Sequence, residues 1–296
     1  MEQGDNIMEW SWSYREGVRS NLGILTKEEQ EKLRCACIGV AGCGGIGGHA
    51  ATDLANWGIG RVKLADFDVF ETSNANRQLY ASFSTVGKAK LKVVAQNLLD
   101  ISPDIRLELY ENGITLENAE EFARGCDIVL DAIDYEAPKY SIALHRSARR
   151  LGIPVYVSQC IGFGASMFAF YPDGEPYEQF LGLDPDIDLD TVTVKDLDLR
   201  KLCPIVPHYF PEGIFERVIR GDIQAPVVIA GQTIAVGLTV SEMVLQLTKS
   251  ETRRPLRMSA LDVFEGRYVK SYELPGKGVS ARSRFDDQET KVSPNK

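Results

Sequence analysis

Glycines near the amino terminus are the first residues of this chain whose spacing suggests chemistry. Residues 42–47 read Gly-Cys-Gly-Gly-Ile-Gly, after an apolar run from Cys37 to Ala41 and before an apparent helix from His49 to Trp57. Glycine lets the backbone approach a ligand closely, and a helix N-terminus presents unpaired N–H groups and partial positive charge. A strand, a glycine turn and a helix in this order predict a nucleotide-phosphate site.

Acidic residues follow two other apolar runs and strengthen this prediction. The run from Val62 to Ala65 ends in Asp66, about 20 residues beyond the glycines, where a ribose-binding acid belongs. A later run leads into Asp131-Ala-Ile-Asp134. Because ligands of open parallel sheets bind at the carboxyl ends of the strands, we expect Asp66 and Asp134 to converge on one crevice.

Apolar strands alternate with amphipathic helices up to about residue 171, which predicts crossover units and a parallel sheet. We therefore predict an α/β fold with a Rossmann-like, mostly parallel sheet, helices on both faces and additional strands at the C-terminal end. The same patterns predict a helix from about Thr85 and a helix from Pro226 to Thr248. They also predict strands from Leu256 to Val263 and from Gly266 to Tyr272.

The chain divides into three parts by pattern. Residues 1–34 are predicted to form an N-terminal arm and helix, and residues 35–274 a single nucleotide-binding domain. Within that domain, residues 172–225 are rich in proline and aspartate and read as an irregular crossover insertion. Residues 275–296 are polar, and we expect a disordered tail.

Composition narrows the class of protein. The 33 basic and 42 acidic residues give a net charge of −9, which argues against nucleic acid or an anionic membrane as a main partner. No apolar stretch reaches the ~18 residues of a membrane span, and the N-terminus lacks a signal-peptide pattern. The six cysteines contain no C-x-x-C pair, so we expect a cytoplasmic protein without structural zinc.

A glycine turn of this kind occurs in dehydrogenases as well as in adenylating enzymes, so other residues must distinguish these two classes. None of the three histidines lies in a pattern typical of proton exchange, although an NAD-dependent oxidoreductase stays open at this point. Arg77 and Lys90, together with the two acids, instead fit a triphosphate and its magnesium ion.

Five motifs in one order resemble the ThiF/MoeB/HesA family, the adenylating domain of ubiquitin-activating enzymes and their bacterial relatives. They are the glycine loop, Asp66-Phe-Asp68, Asn74-Ala-Asn-Arg77-Gln78, Thr85-Val-Gly-Lys-Ala-Lys90 and Asp131-Ala-Ile-Asp134. The resemblance covers about residues 10–171 and returns weakly in the helix that begins near Pro226.

This resemblance implies ATP-dependent activation of a carboxylate as an acyl-adenylate, with release of pyrophosphate. The carboxylate would belong to the C-terminus of a ubiquitin-like or sulfur-carrier protein or to a peptide, and the enzyme would be a homodimer that uses Mg²⁺. Carried over by motif, the nucleotide site would comprise Gly42, Gly44, Gly45, Gly47, Asp66 at the ribose, and Asp68. The phosphates would contact Asn74, Arg77, Gln78 and Lys90. Asp134 would hold magnesium, and Arg19 would reach the site of the other subunit.

Two departures from the family pattern concern what happens after adenylation. The family's zinc-binding C-x-x-C pairs are missing, and the positions hold Tyr177 and Phe180. The crossover stretch also lacks the Cys-Thr neighbourhood of a thioester-forming cysteine and offers only Cys203-Pro204.

Cys203 is the candidate nucleophile, because it lies in the irregular stretch with Arg200, Lys201 and His208 nearby to favour a thiolate. We nevertheless expect direct transfer from the adenylate. A peptide-modifying enzyme of natural-product biosynthesis is the alternative within this class, and a nucleotide-binding scaffold without catalysis is disfavoured because every residue expected at a triphosphate is present.

Overall fold

The computed structural model describes residues 10–272 and residue 274. One eight-stranded sheet runs through them in the order β3-β2-β1-β4-β5-β6-β7-β8, with the first five strands parallel and the last three antiparallel. The strands are β1 Cys37–Ala41, β2 Arg61–Ala65, β3 Arg106–Tyr110, β4 Ile128–Asp131, β5 Val155–Ile161, β6 Gly164–Phe170, β7 Met258–Asp262 and β8 Arg267–Ser271. The predicted fold class is confirmed.

Helices cover both faces of this sheet. In chain order they are α1 Trp12–Gly17, α2 Lys27–Cys35, α3 Gly45–Asn56, α4 Lys90–Ile101, α5 Ala119–Ala123, α6 Pro138–Arg150, α7 Tyr177–Phe180, α8 Ile214–Ile219 and α9 Ile229–Lys249. In the described part of the chain, no helix combines the length and the apolar character that a membrane span requires.

Strand β1 shows why the apolar runs of this sequence fold as a sheet buried on both sides. Ile38 and Val40 point into a core built with α3, α4 and α9. Cys37 and Ala41 point the other way, toward α5, α6 and the ring of Phe122. Side chains alternate along a strand, so a strand covered on both faces must be apolar at every position.

Two helices begin later than the sequence indicates. The helix expected from Thr85 starts at Lys90, because Gly87 takes a left-handed φ of +81° and the Thr85 hydroxyl accepts the Ser82 N–H in a turn. The helix expected from Pro226 starts at Ile229, because Val227 forms a parallel bridge with the end of the β5–β6 hairpin and keeps the chain extended.

The first helix of the nucleotide region begins earlier than expected. It starts at Gly45, four residues before His49, so the glycines themselves form its first turn. Ahead of it, Thr26 and Glu29 form a capping box at the start of α2. Residues 1–9 of the predicted arm and the predicted disordered tail, 275–296, lie outside the described residues.

The segment 172–225 is short of regular structure, yet it packs tightly. Its apolar side chains form a second core against β5, β6 and β7, and include Leu181, Leu183, Val192, Leu197, Leu199, Leu202 and Ile205. Tyr177 and Phe180, which stand where the family has cysteines, pack on Phe170 with ring centroids 5.0 and 5.3 Å away. An aromatic cluster therefore anchors this part of the segment.

Candidate active site

A cavity of about 600 Å³ lies at the carboxyl ends of β1, β2, β4 and β5. The chain leaves β1 toward β2 and β3 and then returns to β4 on the other side, so the strand order reverses here, where open α/β sheets bind ligands. The cavity is lined by most of the predicted site residues: Gly42, Gly44, Gly45, Asp66, Asp68, Arg77, Gln78, Lys90 and Asp134.

The glycine loop is held in one shape by close backbone contacts. Gly42 has a left-handed φ of +98°. A Cβ at Gly47 would lie only 1.8 Å from the Gly42 carbonyl oxygen, so Gly47 permits the packing of α3 on the loop and does not itself line the cavity. Gly44 and Gly45 open α3 and do line it, which brings a helix N-terminus to the cavity.

Asp66 stands at the end of β2 and is fixed by two backbone hydrogen bonds. Its carboxylate accepts the Cys43 N–H at 2.6 Å and the Asp68 N–H at 2.7 Å. Burial raises the pKa of Asp66, and these two hydrogen bonds partly oppose the rise. A carboxylate has about four acceptor positions, so two remain for the hydroxyls of a ribose.

Lys90 is the first residue of α4 and a buried cation beside Asp68. Its Nζ lies 3.0 Å from Asp68 Oδ2, and its backbone N–H donates to the Asp68 carbonyl oxygen at 2.9 Å. The residue is only 7% exposed. Asp68 thereby fixes the ammonium group at the cavity, where it can bind a phosphate as a point charge.

The loop from Glu71 to Gln78 supplies the second cation. Arg77 donates to the Ser73 carbonyl oxygen at 2.8 Å and lines the cavity. The Gln78 Oε1 is buried and accepts no hydrogen bond from the described residues. Asn74 lies outside the lining, because its Oδ1 accepts the Glu71 N–H at 3.0 Å inside the loop.

Asp134 follows β4 and faces the cavity on the opposite side of the glycine loop. Its Oδ1 accepts the Glu136 N–H at 3.1 Å. Nearby, Asp131 is 3% exposed, accepts the Ile133 N–H and lies 3.2 Å from His145 Nε2. Asp131 therefore supports the turn that carries Asp134.

Magnesium is the metal that this acid would suit. In the described residues, no group of three or more His, Cys, Asp or Glu side chains could hold a metal ion by itself. Mg²⁺ is commonly bound through one or two carboxylates, substrate phosphates and water, which matches a single Asp134 beside a triphosphate site.

Comparison with known proteins decides the family of this chain. The sequence profile of the ThiF family matches residues 18–275. The chain belongs to the ThiF family. The resemblance that the five motifs indicate is therefore confirmed.

Two curated relatives of this ThiF-family chain share about a third of the aligned residues. The tRNA threonylcarbamoyladenosine dehydratase of Bacillus subtilis is 37% identical over 141 residues, 47% of this chain and 54% of that protein. The sulfur carrier protein ThiS adenylyltransferase of Escherichia coli is 31% identical over 158 residues, 53% of this chain and 61% of that protein. The matches thus span between half and two thirds of these relatives.

A solved structure extends the likeness to most of the ThiF-family fold. Escherichia coli MccB with ATP gives a TM-score of 0.63 at 20% identity, over 86% of this chain and 68% of that chain. At this identity the likeness shows the fold alone.

The Arg19 side chain lies far from the ThiF-family cavity of its own chain. It is 79% exposed and pairs with Glu16 at 3.7 Å. Asn21, in the same short turn, donates to the Trp57 carbonyl oxygen at the far end of α3, whereas the cavity lies at the start of that helix. A helix of this length spans roughly 18 Å.

Cys203 does not meet the conditions expected of a nucleophile. The residue is buried and outside the cavity lining, and burial raises the pKa of its thiol to about 12 against a small opposing effect of Arg200. Two of the three expected groups are already engaged, since Arg200 pairs with Glu216 and Lys201 donates to the Phe180 carbonyl oxygen. The irregular segment 172–225 that carries Cys203 contributes to the second core.

Several cavity residues escape sequence reasoning. Gln232 of α9 reads in the sequence only as a polar interruption of an apolar run, yet it lines the cavity with Cys160 at the end of β5. Phe67 and Ile114 are further lining residues of this kind. The available signal was the position of residues 159–160 directly after the apolar run from Val155 to Ser158, at the edge where ligands bind.

Proposed function

We propose that this chain is an ATP-dependent adenylyltransferase that activates the carboxylate of a small carrier protein or peptide as an acyl-adenylate. The observation that carries the proposal is the convergence of Asp66, Arg77, Lys90 and Asp134 on one cavity at the switch point of a ThiF-family sheet. This set supplies a ribose acceptor, two phosphate-binding cations and a carboxylate for magnesium.

In the proposed reaction, Asp66 holds the ribose hydroxyls and the start of α3 faces the phosphates. Arg77 and Lys90 neutralise negative charge as it moves onto the departing group. An oxygen of the substrate carboxylate attacks the α-phosphorus, the bond from that phosphorus to the bridging oxygen breaks, and pyrophosphate leaves with the electron pair. Magnesium, when held by Asp134, adds charge neutralisation on the phosphates.

This chemistry needs no general base, because the attacking carboxylate is already ionised at neutral pH. The oxidoreductase alternative would need a side chain that exchanges a proton with the substrate, commonly His, Lys or Tyr. In the cavity, Lys90 is instead paired with Asp68, and the cation Arg77 and the carboxylate of Asp134 lie in the same lining. This combination of charges favours adenylation over the oxidoreductase alternative.

The proposed enzyme works as a two-fold dimer in which Arg19 of each subunit reaches the triphosphate in the other. Support comes from the exposure of Arg19 and from its place at the end of α3 away from its own cavity. A cytoplasmic location is part of the proposal, and the six free cysteines support it because such thiols persist in reducing compartments.

The buried state of Cys203 bears on how the acyl group leaves the adenylate. We propose that the acyl group passes directly from the adenylate to its acceptor without a thioester at this residue. The high pKa and the packing of the thiol support this route, since an attacking thiol must be exposed and at least partly ionised.

Exchange of radiolabelled pyrophosphate into ATP tests the proposed activity. With Mg²⁺ present, exchange is expected only when a carrier protein or peptide with a suitable carboxylate is added. Calorimetry with ATP and with NAD gives an independent check. Tight binding of NAD without any binding of ATP would show that the proposal is wrong.

A further inference from the structure

The two sides of the cavity differ in charge. Arg77 and Lys90 mark the side that suits phosphates. The wall formed by the end of β5, the segment 224–227 and the start of α9 carries no charged side chain among its described lining residues, which are Ser158, Gln159, Cys160, Gln224, Ala225, Pro226, Val227 and Gln232. Asn76 links the two sides, because it donates to the Val227 carbonyl oxygen at 3.3 Å.

Gln232 is a buried polar residue of this uncharged wall. It is 5% exposed, and its Oε1 accepts no hydrogen bond from the described residues. The amide lies against the first residue of α3: a Cβ at Gly45 would be 2.1 Å from Nε2 and 2.2 Å from Oε1. The amide also contacts Cys160. Burial raises the pKa of this thiol to about 11, and the hydrogen bond with the amide partly opposes the rise.

A buried carbonyl oxygen without a donor is unfavourable, and a ligand that brings an N–H removes the deficit. A phosphate cannot do this, because at neutral pH its oxygens chiefly accept hydrogen bonds. The missing partner of Gln232 is therefore a donor on the uncharged part of a ligand that also reaches the N-terminus of α3.

In a peptide, the N–H of the last residue is separated from the carboxylate carbon by a single carbon atom. A terminal carboxylate placed to attack a phosphate near Gly45 thus brings an N–H to the neighbourhood of Gln232. Carboxylates that lack such an N–H leave the Gln232 oxygen unpaired.

We propose that the Oε1 atom of Gln232 accepts the peptide N–H of the activated residue, so that this side chain selects peptide carboxylates over others. The inference rests on the proposed function and deepens it. It assigns the uncharged wall to the acyl substrate and gives Gln232 a specificity-determining role.

Two stable mimics of an acyl-adenylate test this assignment directly. N-acetylglycyl sulfamoyladenosine carries the N–H, and acetoxyacetyl sulfamoyladenosine replaces only that N–H by an oxygen. Calorimetry on the full chain is expected to show about tenfold tighter binding of the first compound, the size of one hydrogen bond to a confined acceptor.

Substitution then identifies the acceptor. In Gln232→Met, which keeps length without the carbonyl, and in Gln232→Leu, the ratio of the two affinities is expected to fall to about one. Binding of AMP reports whether the nucleotide end of each variant is intact. Thr233→Val, an exposed change on the next residue of α9, is the matched control and should keep the tenfold ratio.

The outcomes separate the two ideas. Binding of AMP by the wild type without a preference for the N–H compound overturns this inference and leaves the proposed function standing. The same holds if the preference persists in both Gln232 variants. A wild type that binds neither AMP nor either mimic overturns the proposed function, and this inference with it.

Discussion

The side-chain amide of Gln232 occupies the space that a Cβ at Gly45 would need, 2.1 Å from that position at Nε2. One residue opens the nucleotide helix α3, and the other lies in the first turn of α9, nearly the whole fold later in the chain. The two helices also share the core on this face of the sheet. A distant side chain thus restricts the residue at position 45 of the glycine loop.

This contact predicts a stability effect that a second substitution repairs. Gly45→Ala forces the Gln232 amide out of its position and is expected to lower the free energy of unfolding by about 1 kcal/mol, at the low end for overpacking, because the displaced atoms are the far end of a flexible side chain. Gly45→Ala combined with Gln232→Ala should recover part of the loss in urea denaturation. Gly237→Ala is the control, because a Cβ there meets nothing within 4 Å in the interior of α9. A double variant no more stable than Gly45→Ala would contradict the contact.

Phosphate recognition predicts a difference between ATP and AMP. Arg77→Ala removes a charged donor at the cavity and is expected to weaken ATP binding by about 1.5–3 kcal/mol, with a smaller effect on AMP. Calorimetry with both nucleotides measures the two losses. Arg106→Ala, at the exposed amino end of β3, should bind both normally. Equal losses for ATP and AMP would place Arg77 elsewhere than at the outer phosphates.

The shared-site dimer predicts complementation between inactive chains. Arg19→Ala and Asp134→Asn should each lose pyrophosphate exchange, because each removes one charged group from every site. After subunit exchange, half of the dimers carry both chains and one intact site, so about a quarter of the wild-type activity should return. Absence of recovery despite demonstrated exchange of subunits would rule out the arrangement.

Cys203 is predicted to be chemically silent. With a pKa of about 12, only about 10⁻⁴ of the thiol is ionised at pH 8, and burial shields it further. Iodoacetamide should label the exposed Cys35 well before Cys203 in native protein, as mass spectrometry of peptides would show. Cys203→Ala should keep both exchange and product formation. Loss of product alone, with a thioester trapped in the wild type, would establish the covalent route instead.

Glu31 predicts a pH dependence of stability. The hydrogen bond from Arg34 lowers the pKa of Glu31 to about 2, although burial opposes it, and Trp10 adds a further hydrogen bond. A depressed acid pKa stabilises the fold above the unfolded value of 4.5, and this contribution is lost as the pH falls toward 2.

Glu31→Gln should therefore be less stable than the wild type at pH 7, with a gap that narrows at pH 3.5. Denaturation at the two pH values measures the gap. Glu251→Gln, whose side chain is 86% exposed, should show little difference at either. A gap that widens as the pH falls would contradict the assigned sign.

The nucleotide half of the fold could be predicted from sequence because its signals are local. An apolar run, glycines at fixed spacing and an acid after the next run specify strand, turn and ligand edge within about 30 residues. Parallel pairing of β1, β2 and β4 then brings Asp66, Lys90 and Asp134 to one cavity. The family motifs add the kind of nucleotide chemistry to that framework.

The predicted start of a helix was wrong where a distant residue determines the backbone conformation. Pro226 would suit the first turn of a helix, but the bridge between Val227 and Gly162 keeps that stretch extended until Ile229. Local propensity is a weak determinant that tertiary contacts override. The start of α4 is different, because the glycine at position 87 is visible in the sequence and indicates that the helix begins after it. In the structure this glycine is left-handed.

Only the tertiary structure decided the states of Cys203 and Gln232. In the sequence, the cysteine lies in a polar, irregular stretch, and the glutamine lies in an apolar helix. Folding gives both residues surroundings that the sequence does not show. The irregular stretch forms a core over β5–β7 and buries the thiol, and the first turn of α9 places the Gln232 amide in the cavity lining. Burial and reactivity depend on which distant surfaces meet, and no pattern along the chain records that meeting.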